Sequence, residues 1–322
     1  MAAILDVQNL STRFNLVSHT VRAVEDVSFA LGEREILAIA GESGSGKSAA
    51  ILSLLRLIQP PGEIDKSSRV LFEGKNLLAM DEAGLNRIRG KSISMIFQEP
   101  SASFNPLFTV GAQIAEVLGV HLGLSKTQSL ARAAEVLAQV RIPNADRRAR
   151  DFPFQLSGGM LQRAMIALAL ACGPRILLAD EPTTALDPTT STRILDILKE
   201  RTIAAGMSMI FVTHDLELLS GFADRIMVLY AGRVFESGPA SVLLEAPLHP
   251  YTRDLLAAIP RPGVFKDSGR LYSIQGRVPE AGRRPAGCAY HPRCSRAEAR
   301  CRSGEPALVQ KDSSFVRCHL YV

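Results

Sequence analysis

Residues 41–48 read Gly41, Glu42, Ser43, Gly44, Ser45, Gly46, Lys47, Ser48. This G-x-x-x-x-G-K-S octapeptide constrains the fold more than any other stretch, because it works only between a buried strand and a helix N-terminus. Its glycines let the backbone curl so that successive N–H groups turn inward on an anion. Lys47 places a point charge on β- and γ-phosphates, and the Ser48 hydroxyl is a ligand for Mg²⁺. The flanks agree with that context. The apolar run 35–40 reads as a buried parallel strand. The run 49–58 reads as a helix whose N-terminal dipole adds positive potential under the anion.

From 35 to about 235, apolar strands alternate with helices, which predicts an α/β domain on a parallel sheet. Strands are expected at Ser92–Phe97, Ile176–Ala179, Ser208–Thr213 and Arg225–Tyr230. A tight turn at Ala231-Gly232 then leads into Arg233–Glu236. Before residue 40 the short runs Ile4–Val7, Val21–Val24 and Val27–Leu31 suggest an antiparallel edge layer. Between about 99 and 155 strand signals stop. Leu130, Ala134, Leu137 and Val140 mark one face of a helix over Thr127–Val140, with Ser125 and Gln128 as its capping box. No internal repeat and no low-complexity segment is visible.

The tail differs in texture. Residues 1–255 carry 25 Lys/Arg against 27 Asp/Glu, and residues 256–322 carry 12 against 5, so the net charge of +5 comes from the tail. That excess suits a solvated surface, an anionic lipid or nucleic acid, or a buried anionic cofactor. After Pro260, Pro, Gly, Arg and Ser dominate, and a boundary is placed at 256–262. This region is too short and too polar to hold a strong core alone and needs a staple. The longest apolar stretch, around Ala164–Cys172, is far too short to span a bilayer. The N-terminus lacks the basic and apolar regions of a secretion signal. A soluble, cytoplasmic chain able to dock onto a membrane protein is expected.

Further motifs point to phosphate chemistry. Asp180 and Glu181 end the apolar run 176–181. An acid there holds Mg²⁺ through water, and its neighbour polarises the water that attacks the γ-phosphate. Ser157, Gly158 and Gly159 open an apolar helix, where a serine cap and two glycines let an oxyanion approach. His214 follows a strand, where an imidazole can hydrogen-bond a γ-phosphate. Gln98 ends another strand and can contact Mg²⁺ or the attacking water.

The order of these motifs closely resembles the ABC-type ATPases over about residues 3–255: the phosphate loop, Gln98, Leu156-Ser-Gly-Gly-Met160, Ile176-Leu-Leu-Ala-Asp-Glu181, Ala185-Leu-Asp187 and Thr213-His-Asp215. The resemblance implies that ATP and Mg²⁺ are bound and ATP is hydrolysed. It makes Asp180 the Mg²⁺-water ligand, Glu181 the general base, His214 the switch histidine and Gln98 the link to a membrane partner. Phe14, 27 residues before the loop, resembles the aromatic that stacks on adenine. Two such domains close head to tail in this family. Ser157, Gly158 and Gly159 then reach ATP on the partner's loop, and Asp187 spans the interface. Met160 departs from the glutamine of many members, which removes a side-chain hydrogen bond and leaves the backbone donors.

A narrower resemblance, to the dipeptide/oligopeptide/nickel importer group, rests on 98–106, 180–187, 249–256 and 287–294. It implies an ATPase subunit, peripheral on the cytoplasmic face of the membrane. Its partners would be an identical or paralogous ATPase, two integral permease subunits and, indirectly, an extracytoplasmic solute-binding protein. The implied domains are 1–255, with a helical subdomain at about 99–160, and a C-terminal region at 256–322. The alternative is a soluble ABC ATPase acting on nucleic acid or ribosomes. Only the basic tail favours it, and the long coiled-coil insertion or tandem ATPase units of such proteins are missing, so no nucleic acid is expected.

Cys172 reads as core filler. Cys288, Cys294, Cys301 and Cys318 follow a C-x5-C-x6-C-x16-C spacing that is not a standard zinc ribbon. Four thiolates from an irregular segment can hold a [4Fe–4S] cluster or tetrahedral zinc, or remain free. Family resemblance favours the cluster, with Arg293, Arg296, Arg300, Arg302 and Arg317 nearby to offset its charge.

Overall fold

Alternation and turn chemistry account for the first sheet. The computed structural model describes residues 3–184, 186–259, 272–279 and 282–322. Ala185, and residues 260–262 of the expected boundary, lie outside the described residues. Strands β1 (Ala3–Asn15), β2 (Thr20–Gly32), β3 (Ile36–Ala40), β4 (Gly62–Ile64), β5 (Arg69–Phe72), β6 (Lys75–Asn76), β7 (Ile93–Ile96), β8 (Ile176–Asp180), β9 (Ser208–Thr213), β10 (Arg225–Tyr230), β11 (Arg233–Pro239), β12 (Val309–Lys311) and β13 (Ser314–Val316) follow in chain order. The helices used below are α1 (Lys47–Leu54), α2 (Val110–Leu122), α3 (Lys126–Gln139), α4 (Gly158–Leu170), α5 (Pro188–Ala205) and α6 (Pro250–Ala257).

The chain divides into two compact units. Of the described residues, 3–31, 35–78 and those from 212 onward form the loop unit, and 32–34 with those from 79 to 211 form the helical unit. In the loop unit an antiparallel layer runs in the order β2-β1-β5-β6, with β4 also on β1. Leu5 faces Phe72 and Phe14 faces Gly62. Leu5, Val7, Leu10 and Thr12 are buried at alternate or near-alternate positions, as a half-buried strand requires. A second sheet runs β12-β13-β11-β10-β3. β3 is buried on both faces and pairs in parallel with β10, Ile39 opposite Met227. The β10–β11 turn is tight, with positive φ at Ala231 (47°) and Gly232 (80°).

The tail adds β13 to the edge of β11, Glu236 opposite Val316. These tail strands are three residues long. That is too short to leave a period in the sequence, which is why only irregular structure was expected there.

In the helical unit β7 lies parallel to β8, Ile93 opposite Ile176, and β9 lies beside β8. Among the described residues 97–175 contain no strand. The capping box of α3 is present: Gln128 N–H donates to Ser125 Oγ at 3.4 Å, and Ser125 N–H to Gln128 Oε1 at 3.0 Å. Its buried face is Ser129, Ala133, Ala134, Val136 and Leu137, and Val140 at its C-terminal end is buried too, while Leu130 is exposed. Of the four expected face residues, Ala134, Leu137 and Val140 are buried as read, and Leu130 is the one that is not. Helix α1 ends at Leu54, earlier than expected, where Leu57 N–H returns to the Leu52 carbonyl and Arg56 takes a positive φ of 52°. Among the described residues no helix is long and apolar enough to cross a membrane.

Candidate functional site

The phosphate loop is shaped by contacts that exclude side chains. Gly41 has φ 149°, and a Cβ there would lie 2.3 Å from the Leu229 carbonyl oxygen. Gly46 has φ 101°, and its Cβ would lie 2.2 Å from the Ala23 carbonyl oxygen. Strands β10 and β2 thus close on the loop from behind, which leaves glycine as the residue that fits. Gly44, with φ 81°, faces open space. Ser45 N–H donates to the Glu42 carbonyl at 3.1 Å, while the buried Ser45 Oγ has no hydrogen-bond partner. Lys47 is buried, and its Nζ donates to the carbonyls of Gly41 (2.8 Å) and Glu42 (3.0 Å). Ser48 and Ser43 stand at the rim, partly or fully exposed. A curled backbone, an orphaned hydroxyl, a placed ammonium and an α1 N-terminus fit a polyphosphate with Mg²⁺.

Phe14 and His214 belong to the same unit. Phe14 is half-buried on β1 and its ring packs against Gly62. His214 is exposed just beyond β9, beside a turn in which Asp215 N–H donates to Thr213 Oγ1 at 3.0 Å.

The helical unit holds Gln98, Ser157, Gly158, Gly159, Asp180, Glu181 and Asp187. Asp180 and Glu181 are buried at the end of β8. Glu181 has a positive φ of 45° and its Oε2 accepts from Thr184 Oγ1 at 2.8 Å. The following Pro182 carbonyl accepts from Gln162 Nε2 of α4 at 2.6 Å. A strained, doubly anchored turn fixes where the carboxylate points. Gln98 is exposed beyond β7.

Asp187 caps α5, accepting from Thr190 N–H at 3.0 Å. The Thr190 side chain and N–H hold its carboxyl below the usual carboxylate range. Ser157 occupies the N-cap position of α4, but its hydroxyl makes no capping bond, contrary to expectation. The residue is exposed, so water competes for that hydroxyl. An open cavity of about 560 Å³ is lined by Ser157, Gly159, Asp187, Arg141, Arg163 and Arg193. Arg163 donates to the carbonyls of Gly159 (3.1 Å) and Arg141 (2.6 Å). Burial, then the charge of Arg193, pulls its pKa down. These arginines carry no motif and were not anticipated.

The tail cysteines behave differently from the expectation. All four are free thiols, and among the described residues no three His, Cys, Asp or Glu side chains form a group able to hold a metal ion. The four are nonetheless neighbours. Burial, with smaller contributions from Cys301, Cys318 and Cys294, pushes the Cys288 thiol up to about 11. Cys294 and Cys318 are also pushed up by burial and by nearby cysteines. Cys288 N–H donates to the Cys301 carbonyl at 2.9 Å. Two of the expected counter-charges point elsewhere. Arg317 donates to the carbonyls of Val234 (3.0 Å) and Pro306 (3.4 Å), and Arg293 pairs with Glu42 of the phosphate loop. Arg300 pairs with Glu298 at 2.8 Å and lowers the Cys318 pKa. Cys172 is half-buried, not fully enclosed.

Among the described residues an aromatic cluster ties the tail to the strand and helix before it. Tyr230 of β10, Tyr251 of α6 and Tyr290 of the tail are all fully buried, with centroids 4.6–5.2 Å apart. Each such pair contributes ~0.5–1.5 kcal/mol beyond area burial. Tyr290 OH donates to Asp254. The signal was present in the sequence as His249-Pro-Tyr251 and Ala289-Tyr290, but aromatic identity alone does not say what a ring packs on.

Comparison with known proteins agrees with this geometry. The profile of the family described as ABC transporter matches residues 24–184, and that of the oligopeptide/dipeptide transporter C-terminal region matches 235–301. The chain is 45% identical over 321 residues, covering 98% of it and 95% of the relative, to a protein of Brucella abortus (strain 2308) that carries the name "Putative peptide import ATP-binding protein". It is 46% identical over 316 residues, 95% of it and 93% of the relative, to a protein of the same name from Brucella melitensis biotype 1. Among solved structures it is similar to the dimeric, post-hydrolysis ATP-binding cassette MJ0796 bound to ADP and Pi. That match has a TM-score of 0.66, 30% identity, and covers 73% of this chain and 98% of the other. It is also similar to cbiO1 from Clostridium perfringens, part of the ABC transporter complex cbiONQ (TM-score 0.61, 26% identity, 77% and 97% covered). With a phosphate cradle, a strand-end acid pair and a Ser-Gly-Gly turn on an α/β cassette, the chain belongs to the ABC transporter family as an ATP-hydrolysing subunit.

Proposed function

We propose that this chain is the ATPase that powers import of di- or oligopeptides, or a related solute such as a nickel chelate, through a separate membrane permease. The observation that carries the solute class is the match of 235–301 to the oligopeptide/dipeptide transporter C-terminal region. The names of the Brucella relatives support it. Nothing beyond the basic tail favours the nucleic-acid reading.

In this proposal 41–48 hold the triphosphate, Phe14 stacks on adenine, and Ser48, Gln98 and Asp180 hold Mg²⁺, which supplies charge neutralisation between phosphates. Glu181 accepts a proton from the attacking water, and His214 donates a hydrogen bond to the terminal phosphate. Ser157, Gly158, Gly159 and Asp187 serve ATP bound on a second ATPase subunit. The dimeric state of the cassette with ADP and Pi, and the arginine-lined cavity beside Ser157, support that pairing. The exposed apolar side chains Phe97, Leu107, Phe108 and Phe154 support docking of the helical segment on permease subunits at the cytoplasmic membrane face, fed by a solute-binding protein. Residues 1–255 form the nucleotide-binding domain in this scheme and 256–322 the C-terminal region.

The four tail cysteines are the proposed site of a [4Fe–4S] cluster, with zinc as the alternative. Their mutual electrostatic influence supports it, and the missing ligating group among the described residues weighs against it. The transport proposal is tested by uptake of labelled peptide in proteoliposomes containing permease and binding protein. Glu181→Gln is expected to cut ATP turnover at least ~100-fold and to stop uptake while ATP still binds. Turnover at the normal rate would remove Glu181 as the base, and ATP-driven uptake of no peptide would remove the solute class.

A further inference from the structure

An ion pair joins the tail to the nucleotide loop. Arg293 sits one residue before Cys294, and its side chain is only 5% exposed. Its guanidinium grips Glu42 with two hydrogen bonds, Nη1 to Oε2 at 2.6 Å and Nη2 to Oε1 at 2.9 Å. Glu42 is the second residue of the phosphate loop. Its backbone N–H donates to Tyr251 OH at 2.9 Å, and its carbonyl accepts from Lys47 Nζ at 3.0 Å. Glu42 is therefore held at side chain, N–H and carbonyl, and the last of these is shared with the lysine that meets the phosphates. Arg293 is itself fixed. Its carbon Cζ lies 5.8 Å from the ring centroids of both Tyr230 and Tyr290, and its Nε donates to the Gln275 carbonyl at 2.8 Å.

A forked, partly desolvated ion pair of this kind sets geometry as well as energy. The carboxylate's partner is supplied by a residue 251 positions away.

We propose that Arg293 is a positioning residue for nucleotide binding: by clamping Glu42 it sets the first turn of the phosphate loop and the resting place of Lys47. The C-terminal region is then part of the ATP site's supporting structure, whatever solute the transporter carries. The inference rests on the reading of 41–48 as the ATP cradle.

The test is calorimetric titration of the full-length protein with ATP and Mg²⁺, comparing wild type, Arg293→Gln, Arg293→Lys, Glu42→Gln and the Arg293→Gln/Glu42→Gln double variant. Each Gln variant is expected to weaken ATP binding roughly tenfold and to raise KM with kcat nearly unchanged, and the double variant to be no weaker than either single one. Arg293→Lys should recover part of the loss, because lysine keeps the charge and lacks the fork. If Arg293→Gln does not fold, Glu42→Gln, which leaves the tail intact, decides. Wild-type affinity in a folded Gln variant, or losses that multiply in the double variant, would overturn the inference. Lys47→Ala separates the two levels. If it abolishes ATP binding while Glu42→Gln and Arg293→Gln do not weaken it, the clamp fails and the cradle stands. If it too leaves binding intact, the cradle itself fails.

Discussion

The phosphate loop and the cysteine-rich tail are built in opposite ways. The loop takes its shape from backbone: glycines at positive φ, carbonyls of Leu229 and Ala23 pressed against them, and a helix N-terminus behind. The residues that signal it are eight in a row. The tail takes its shape from side chains that meet others far away in the chain. Tyr290 packs on Tyr230 and Tyr251, Arg293 on Glu42, and Arg317 on the β11 carbonyl of Val234. A site made of backbone is readable wherever its residues are contiguous. A site made of distant side chains is defined only once the fold has brought them together.

Two measurements would break or sharpen that contrast. The larger effect is expected in the tail. Protein purified without oxygen should contain iron and absorb visible light, and Cys294→Ser should lose both. Colourless protein with bound zinc would keep a metal and change its identity. Protein with neither would leave the aromatic cluster as the sole staple, and the tail would depend on packing as the loop depends on backbone.

The smaller effect concerns the joint between the two regions. His249 is buried against Phe235 and Tyr290, and its Nδ1 accepts from Tyr251 N–H at 2.9 Å. Burial lowers its pKa from 6.5 to about 3, so the folded protein holds it neutral. The unfolded chain takes up a proton near pH 6.5 and the folded chain does not. The stability contributed by neutral His249 is thus fully present above pH 6.5 and is lost as pH falls towards 3, at up to ~1.4 kcal/mol per pH unit for this one group. Denaturant melts of wild type and His249→Gln across that window should show a shallower acid slope in the variant. Equal slopes would mean that His249 is not the group that titrates.

The contrast also explains what could be read from the chain. The eight residues of the loop, the strand-end acids Asp180 and Glu181, the Ala231-Gly232 turn and the Ser125–Gln128 box were legible because each is a local pattern with a local cause. On α3, Ala134, Leu137 and Val140 were read rightly as buried and Leu130 was not, because a period shows which residues share a face and not how far packing extends along it. Ser157 was expected to cap α4 with its side chain and does not, since sequence shows that a hydroxyl is available and not whether it is used. The arginines beside Ser157 and the Arg293–Glu42 clamp left no local trace. Residues from 141 to 193 converge on one cavity, and a tail residue reaches position 42.

The claim on which the rest depends is that residues 41–48 hold the triphosphate of ATP through their backbone donors and Lys47. Equilibrium binding of ATP with Mg²⁺ to the Lys47→Ala protein tests it most directly. The expected result is a loss of affinity of at least ~100-fold in a variant that melts like the wild type. Wild-type affinity in that folded variant would contradict the account.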